Sequence, residues 1–190
     1  MDKNLDSIQP IFWRENQLEL LDQRALPQQE NWLKYNDSDE VAAAITDMVV
    51  RGAPAIGVTA AYGVVLAARA AWKNAAEDWQ QAMVEPLTKL AGSRPTAVNL
   101  FWAIDRMKRV FSESARAGRS PAEIREVLLA EARSVHDEDV ASCRAMGEHG
   151  ATILPDDGRV LTHCNAGALA TAGYGTALGV IRAAVESGKK

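Results

Sequence analysis

The chain has 190 residues, of which 47% are hydrophobic and 24% charged, which is enough for one sizeable buried core. Its formal net charge of −4 argues against nucleic acid or a membrane surface as a partner, because both attract basic proteins. Two cysteines, Cys143 and Cys164, are too few for a disulfide framework and favour a reducing, cytoplasmic setting.

The apolar segments of the chain favour a cytoplasmic protein without membrane association. Residues 1–6 are polar and acidic and do not resemble a signal peptide. The longest apolar run, from Ala53 to Ala68, is shorter than the roughly 20 residues that a membrane-spanning helix needs. Its many alanines and glycines predict a helix buried in the core.

Three short segments near the N-terminus read as β-strands: 11–14, 17–21 and 32–35. Pro27 and the polar residues after it separate the last two. This pattern predicts a small antiparallel meander. Such a sheet needs a surface to pack against, because isolated strand pairs are marginally stable.

Helices are predicted to follow. Asp37 with Glu40 is typical of a helix start, and this first helix should end before Gly52. A second helix is expected from Pro54 to about Lys73, and a third over roughly 77–91.

Two more helix starts lie further along the chain. Apolar residues recur at helical spacing from about Ala97 until Gly118. Ser120, Pro121 and Glu123 supply an N-cap, a first-turn proline and a capping-box glutamate, so a fifth helix should begin there.

The composition changes at the turn 155–158, where we place a domain boundary. A strand is expected over Arg159–His163 and a helix over about Gly167–Glu186. The predicted fold is therefore mainly α with an N-terminal antiparallel β meander (domain 1–154), followed by the first strand and helix of a Rossmann-like α/β domain (155–190). A lone strand and helix cannot form a stable layer. We expect a longer natural chain, a second polypeptide or a partner subunit to complete it.

Two short loops carry an arginine directly before a predicted helix. Arg51, Gly52 and Ala53 precede one helix and Arg94 precedes another. Free N–H groups and the positive end of the helix dipole make such loops suited to anions, and arginine adds a bidentate phosphate donor. Alternatively, Gly52 caps the preceding helix and both arginines are simply solvated. The pair of loops points weakly to a shared anionic ligand.

Cys164 lies between the predicted strand and helix, where open α/β sheets place their active sites. It is interpretable as a buried structural cysteine, a zinc ligand or a functional thiol whose pKa is lowered by the following helix N-terminus. Cys143 and His163 give no recognisable zinc spacing. A catalytic pair of Cys164 with His163 is disfavoured, because neighbouring residues on a strand point to opposite faces.

Two other motifs favour packing over chemistry. The glycines at 173, 175 and 179 do not have the G-x-G-x-x-G spacing of a dinucleotide site, and they fall inside the predicted helix. His136 and its acidic neighbours read as a solvated or inter-helix polar patch, not as a metal site. No cofactor or metal is expected.

Three segments together resemble the hallmark segments of the methylthioribose-1-phosphate isomerases: Val50-Arg-Gly-Ala-Pro-Ala-Ile-Gly57, Ser93-Arg-Pro-Thr-Ala-Val-Asn-Leu100 and Leu161-Thr-His-Cys-Asn-Ala-Gly167. The resemblance extends to the region of Trp13 and to residues 147–150. It implies a homodimeric enzyme of methionine salvage that converts the cyclic aldose phosphate 5-methylthioribose 1-phosphate into the open ketose 5-methylthioribulose 1-phosphate.

The resemblance also implies roles for individual residues. Arg51, Gly52 and Ala53 match one substrate-binding segment and Arg94 matches a second substrate contact. Cys164 matches the catalytic cysteine. The family's catalytic aspartate and further substrate contacts lie downstream of anything in this chain, so the resemblance implies that the chain holds only part of the active site.

Three alternatives remain open. The first is a ribose-1,5-bisphosphate isomerase, and the second is a non-catalytic regulatory subunit like those of the translation-initiation exchange factor; both share this superfamily. The third is a truncated product that acts only as an assembly module.

Overall fold

The computed structural model describes residues 8–75 and 78–190. The structure is mostly helical with one small sheet. Its strands are β1 (Ile11–Arg14), β2 (Gln17–Leu21) and β3 (Trp32–Tyr35). Its helices are α1 (Ser38–Thr46), α2 (Ala53–Ala75), α3 (Trp79–Ala82), α4 (Val84–Gly92), α5 (Val98–Arg116), α6 (Pro121–Ile153) and α7 (Ala177–Glu186).

The three strands form the predicted antiparallel meander, in the order β1-β2-β3. Leu20 of β2 pairs with Ile11 on one side and with Leu33 on the other. The sheet is stabilised by packing on α2, where the Trp13 ring stacks on Tyr62 with 5.3 Å between the ring centroids. Helix α2 thus provides the surface that the meander needs.

Helix α2 forms the centre of the core. It is long and apolar enough to cross a membrane by length and composition alone, but 83% of its most apolar stretch is buried inside the protein. The sheet and helices α1, α3, α4, α5 and α6 all pack against it. The prediction of a buried core helix is confirmed.

The helix predicted over 77–91 is wrong as a single element, because two helices, α3 and α4, meet at Met83. Pro86 explains the break: it has no N–H to donate to the Ala82 carbonyl, and its ring would clash with that carbonyl in a continuous helix. Residues 76 and 77 lie outside the described residues, so the predicted start of this helix does too.

Helix α6 begins at the predicted cap. The Ser120 side chain accepts a hydrogen bond from the Glu123 N–H, and the Glu123 carboxylate accepts one from the Ser120 N–H at 2.8 Å. The helix continues for 33 residues. Its first half packs on α2 and α5, whereas residues near its C-terminal end pack on α7.

The predicted strand Arg159–His163 is wrong for this structure, because it pairs with no other strand of the described residues. Leu161 is 97% exposed. A strand needs at least one neighbour to pair with its backbone N–H and C=O groups, and the described part of the chain offers none at this segment.

The helix predicted from Gly167 is also wrong at its start. A 3₁₀ turn covers Ala168–Ala170 and α7 begins only at Ala177. Gly175 adopts a φ of +96°, which a right-handed helix excludes. The Thr171 hydroxyl oxygen accepts hydrogen bonds from the Gly173 and Gly175 N–H groups and holds this loop.

Candidate functional site

The structure brings two of the predicted site segments into contact at the N-terminal end of α2. Gly52 has a φ of +100°, and its Cα faces the backbone of Ala170, in the loop that follows Cys164. A Cβ atom on Gly52 would lie 2.4 Å from the Ala170 carbonyl oxygen. Only glycine allows this close approach of the two segments.

The Arg51–Ala53 segment offers hydrogen-bond donors to an anion. Arg51 is exposed, and among the described residues its guanidinium has no hydrogen bond or ion pair. The first helical bond joins the Ile56 N–H to the Gly52 carbonyl at 3.0 Å. The N–H groups that precede it point out of the helix end, where an anion is stabilised.

Arg94 lies in a neighbouring loop at the same end of the helical bundle. The Thr46 hydroxyl, at the end of α1, donates to the Ser93 carbonyl at 3.3 Å. The first turn of α5 crosses α2 closely, since a Cβ on Gly57 would lie 2.9 Å from the Asn99 carbonyl oxygen. Arg94 itself is half-buried and, within the described part of the chain, its side chain has no charged partner.

Cys164 is exposed and has a φ of +70°, a conformation that costs energy for any residue other than glycine. The structural interpretation of this cysteine as a buried residue is therefore wrong. The predicted helix N-terminus beside the thiol is also absent, because α7 begins at Ala177. Cys143 is the structural cysteine: it is buried in α6, and burial raises the pKa of its thiol.

The loop 166–176 that follows Cys164 is held from several directions. Within it, the Thr176 N–H bonds to the Ala166 carbonyl at 2.9 Å. The Gln23 side-chain amide, from the loop after β2, donates to the Leu169 carbonyl at 2.7 Å. On its other side Asp139 of α6 accepts a hydrogen bond from the Ala172 N–H, also at 2.7 Å.

Sequence reasoning missed Asp139, which lies in the run interpreted as a polar patch. The signal was its spacing: Val135, Asp139 and Cys143 recur every four residues, and the first and last of these are buried. Asp139 therefore lies on the inward stripe of α6. Burial raises the pKa of its carboxyl, although the Ala172 hydrogen bond opposes this shift.

A cleft of about 410 Å³ lies beside the Arg51–Ala53 segment. Its walls come from the first turns of α2 and α5 and from the middle of α6, and most of them are apolar. The lining residues are Pro54, Val58, Val98, Asn99, Trp102, Val135, Glu138, Asp139 and Ser142.

His136 belongs to the packing between helices. Its ring meets Tyr62 edge-on, with 6.3 Å between the ring centroids, and burial lowers the pKa of the imidazole. Burial also raises the pKa of Tyr62 to about 12. The interpretation of His136 as part of an inter-helix patch is confirmed. No group of three or more histidine, cysteine or acidic residues suited to a metal occurs among the described residues.

Residues 49–190 match the family described as the Initiation factor 2 subunit family. The chain belongs to this family.

Two curated relatives share one name. The chain is 55% identical over 184 residues to a methylthioribose-1-phosphate isomerase of Syntrophotalea carbinolica, covering 97% of this chain and 53% of that protein. It is 53% identical over 183 residues to the enzyme of the same name from Geobacter metallireducens, covering 96% and 52% respectively. The chain thus spans about half the length of the curated relatives it matches.

Two solved structures are similar. The 5-methylthioribose 1-phosphate isomerase of Pyrococcus horikoshii OT3 superposes with a TM-score of 0.90 at 37% identity, over all of this chain and 52% of that one. The delta subunit of the translation initiation factor eIF-2B from A. fulgidus superposes with a TM-score of 0.79 at 45% identity, over 96% of this chain and 52% of that subunit. Both likenesses support the mostly helical fold with its small N-terminal sheet.

Proposed function

We propose that the protein is a methylthioribose-1-phosphate isomerase, which converts an aldose phosphate into a ketose phosphate, and that this chain supplies the phosphate-binding end of its site and the catalytic cysteine. The observation that carries the proposal is the contact between Gly52 and Ala170, which joins the arginine segment to the loop after Cys164. The names of relatives at 50–55% identity support the same activity.

Arg51 and the N–H groups at the start of α2 would bind the substrate phosphate, and Arg94 would add a second positive charge from the neighbouring loop. Guanidinium groups and helix N-termini are the usual protein donors to phosphate. Neither arginine has a charged partner of its own among the described residues, so each is available to a ligand.

The reaction is an internal oxidation and reduction. The bond between C1 and the ring oxygen breaks and the ring oxygen takes up a proton to become a hydroxyl. The hydrogen on C2 moves to C1, and the C2 hydroxyl loses its proton to become a carbonyl, while the phosphate stays on C1. The proton released at C2 balances the proton taken up by the ring oxygen. C2 is oxidised and C1 is reduced by the same amount, so the balance needs no external oxidant. The exposed Cys164 thiol would donate a proton or hydrogen bond to the ring oxygen as the ring opens.

An isomerase assay of the protein expressed from its complete reading frame tests this role. We expect Cys164→Ser to lower kcat by about 100-fold or more, within the range that general acid catalysis contributes. His163→Gln, at the exposed neighbouring position, should retain the activity and thereby control for disturbance of the segment. Near-normal kcat in Cys164→Ser would remove the cysteine from the mechanism.

A regulatory subunit is the second candidate, because the A. fulgidus eIF-2B delta subunit is 45% identical. The same assay decides between the two, since a regulatory subunit would not turn over the sugar phosphate. Comparing 5-methylthioribose 1-phosphate with ribose 1,5-bisphosphate as substrates tests the remaining isomerase alternative.

We infer that residues 155–190 begin a Rossmann-like α/β domain that follows a helical domain of residues 1–154. We also infer that the complete protein is a cytoplasmic homodimer. The unpaired, exposed segment around Leu161 supports the first part, since it has the composition of a buried strand. Sedimentation of the complete protein tests the oligomeric state.

A further inference from the structure

We propose that Asp139 is a positioning residue that fixes the loop after Cys164 against the phosphate-binding end of α2. This inference rests on the proposed function. It assigns a role in the reaction to a carboxylate that acts through the backbone of the loop after Cys164.

The first support is the contact itself. The Asp139 Oδ2 atom accepts the Ala172 N–H at 2.7 Å, across 33 positions of sequence. Hydrogen bonds to an ionised acceptor are about twice as strong as neutral ones. The carboxylate is half-buried, where an unpaired charge is costly, so the bond resists exchange for water.

The second support is where Ala172 lies. Two residues before it, Ala170 packs on the Cα of Gly52. One residue before it, the fully buried Thr171 accepts the N–H groups of Gly173 and Gly175. The hydrogen bond to the Ala172 N–H therefore restrains the part of the loop that packs on Gly52 and that the Thr171 hydroxyl closes.

The third support is the position of Asp139 in the cleft. It lines the same cleft as Pro54, the residue that follows the Arg51–Ala53 segment. Val135, one turn before Asp139 on α6, is buried in the core that is centred on α2. Asp139 thus connects the loop to α6, which packs on α2. The loop after Cys164 and the Arg51–Ala53 segment are therefore held at a fixed distance from each other.

The experiment uses the complete enzyme and three variants. Asp139→Ala removes the acceptor, and Asp139→Asn keeps an oxygen that can accept the same N–H. Asp137→Ala removes an exposed carboxylate two positions earlier on α6. Steady-state kinetics give kcat and KM separately, and hydrogen exchange measured on peptides covering 171–176 reports the Ala172 N–H.

We expect Asp139→Ala to lower kcat about 10- to 100-fold with a smaller change in KM, because a displacement of about 1 Å costs this much in rate. The exchange of the 171–176 peptides should rise in the same variant. Asp139→Asn should restore kcat to within about threefold and restore slow exchange, by the geometry of its amide oxygen. Asp137→Ala should match the parent protein in both measurements.

The proposal is overturned if exchange at 171–176 is unchanged in Asp139→Ala. It is also overturned if exchange rises while kcat stays at the parent value, because the bond is then structural only. Should Asp139→Ala fail to fold, Asp139→Glu, which keeps the charge and displaces the acceptor by one methylene, must lower kcat for the proposal to stand. A parent protein without isomerase activity would refute the proposed function instead, and the exchange comparison would still show whether Asp139 holds the loop.

Discussion

Gly52 shows how a single residue without a side chain sets the geometry of the site. The sequence singled it out for two incompatible reasons, as a helix cap and as part of an anion-binding loop. In the structure Gly52 lies directly before α2 with a positive φ, and the backbone of Ala170 packs against its Cα. The absence of a Cβ is what lets the arginine segment and the cysteine segment touch.

Gly52→Ala should therefore destabilise the protein by more than about 1 kcal/mol, from backbone strain and from the clash with Ala170. Urea unfolding measures the difference. Gly92→Ala is the matched control, because Gly92 has no positive φ and a Cβ there would meet nothing within 4 Å. Its free energy of unfolding should change by less than about 0.5 kcal/mol. Equal effects of the two substitutions would contradict this account of Gly52.

Residue patterns predicted the arginine loops and Cys164 well, but they did not predict Asp139. A helical repeat shows which residues share a face, yet the sequence does not tell which distant N–H meets a carboxylate on that face. The Asp139–Ala172 bond depends on how the 166–176 loop returns to α6. That path depends on two glycines with positive φ in the loop, Gly173 and Gly175, and on the positive φ of Gly52, and composition alone does not reveal it.

Among the elements, α5 and α6 are joined by an ion-pair cluster near the cleft. The Arg106 guanidinium pairs with Glu131 and with both carboxylate oxygens of Glu138. The hydrogen bonds from Arg106, followed by that from Ser134, lower the pKa of Glu138 from 4.5 to about 2. Glu138 therefore keeps its negative charge well into the acid range.

The pH dependence of stability follows from this shift. A carboxylate with a lowered folded-state pKa contributes stability above pH 4.5 and loses it as the pH falls towards 2. Because the Glu138 side chain is 53% exposed, we expect Glu138→Gln to cost only about 1 kcal/mol at pH 7. Urea unfolding of both proteins between pH 7 and pH 3 should show this difference shrinking.

Glu148→Gln is the control for Glu138→Gln. Glu148 is an exposed glutamate on the same helix, without an ion pair among the described residues, so its substitution should matter little at any pH. The assignment of the lowered pKa to Glu138 would be contradicted if the difference in free energy of unfolding between the parent protein and Glu138→Gln grew as the pH fell.

Helices and strands were predicted correctly where their sequence signals are local. The three strands and the Ser120 capping box were predicted correctly because their patterns are complete within a few residues. The break at Met83 was missed although Pro86 signalled it. The segment 159–163 was predicted as a strand on composition, but a strand exists only with partners, and those are not local.

At the scale of the whole molecule, the residues of the proposed site lie at an open surface. Cys164 is exposed, and the segment before it has no strand neighbour within the described residues. Chemistry on a sugar phosphate needs a site that excludes water. The relatives that carry the isomerase name are about twice as long as the matched region.

We therefore expect a purified polypeptide of residues 1–190 to show no isomerase activity while remaining folded. The assay compares it with the protein from the complete reading frame, and circular dichroism checks that the helices of the shorter polypeptide are present. Detectable turnover by residues 1–190, with no other polypeptide in the assay, would refute this expectation.

Helix α6 is long enough to reach from the helical core to the C-terminal part of the chain. Its 33 residues span about 50 Å, and Asp139 lies close to the middle of the helix. Apolar residues before Asp139 pack into the core around α2, and residues near the C-terminal end pack against α7. One continuous helix therefore connects the core to the segment that follows the proposed domain boundary, and the Asp139 hydrogen bond lies between the two.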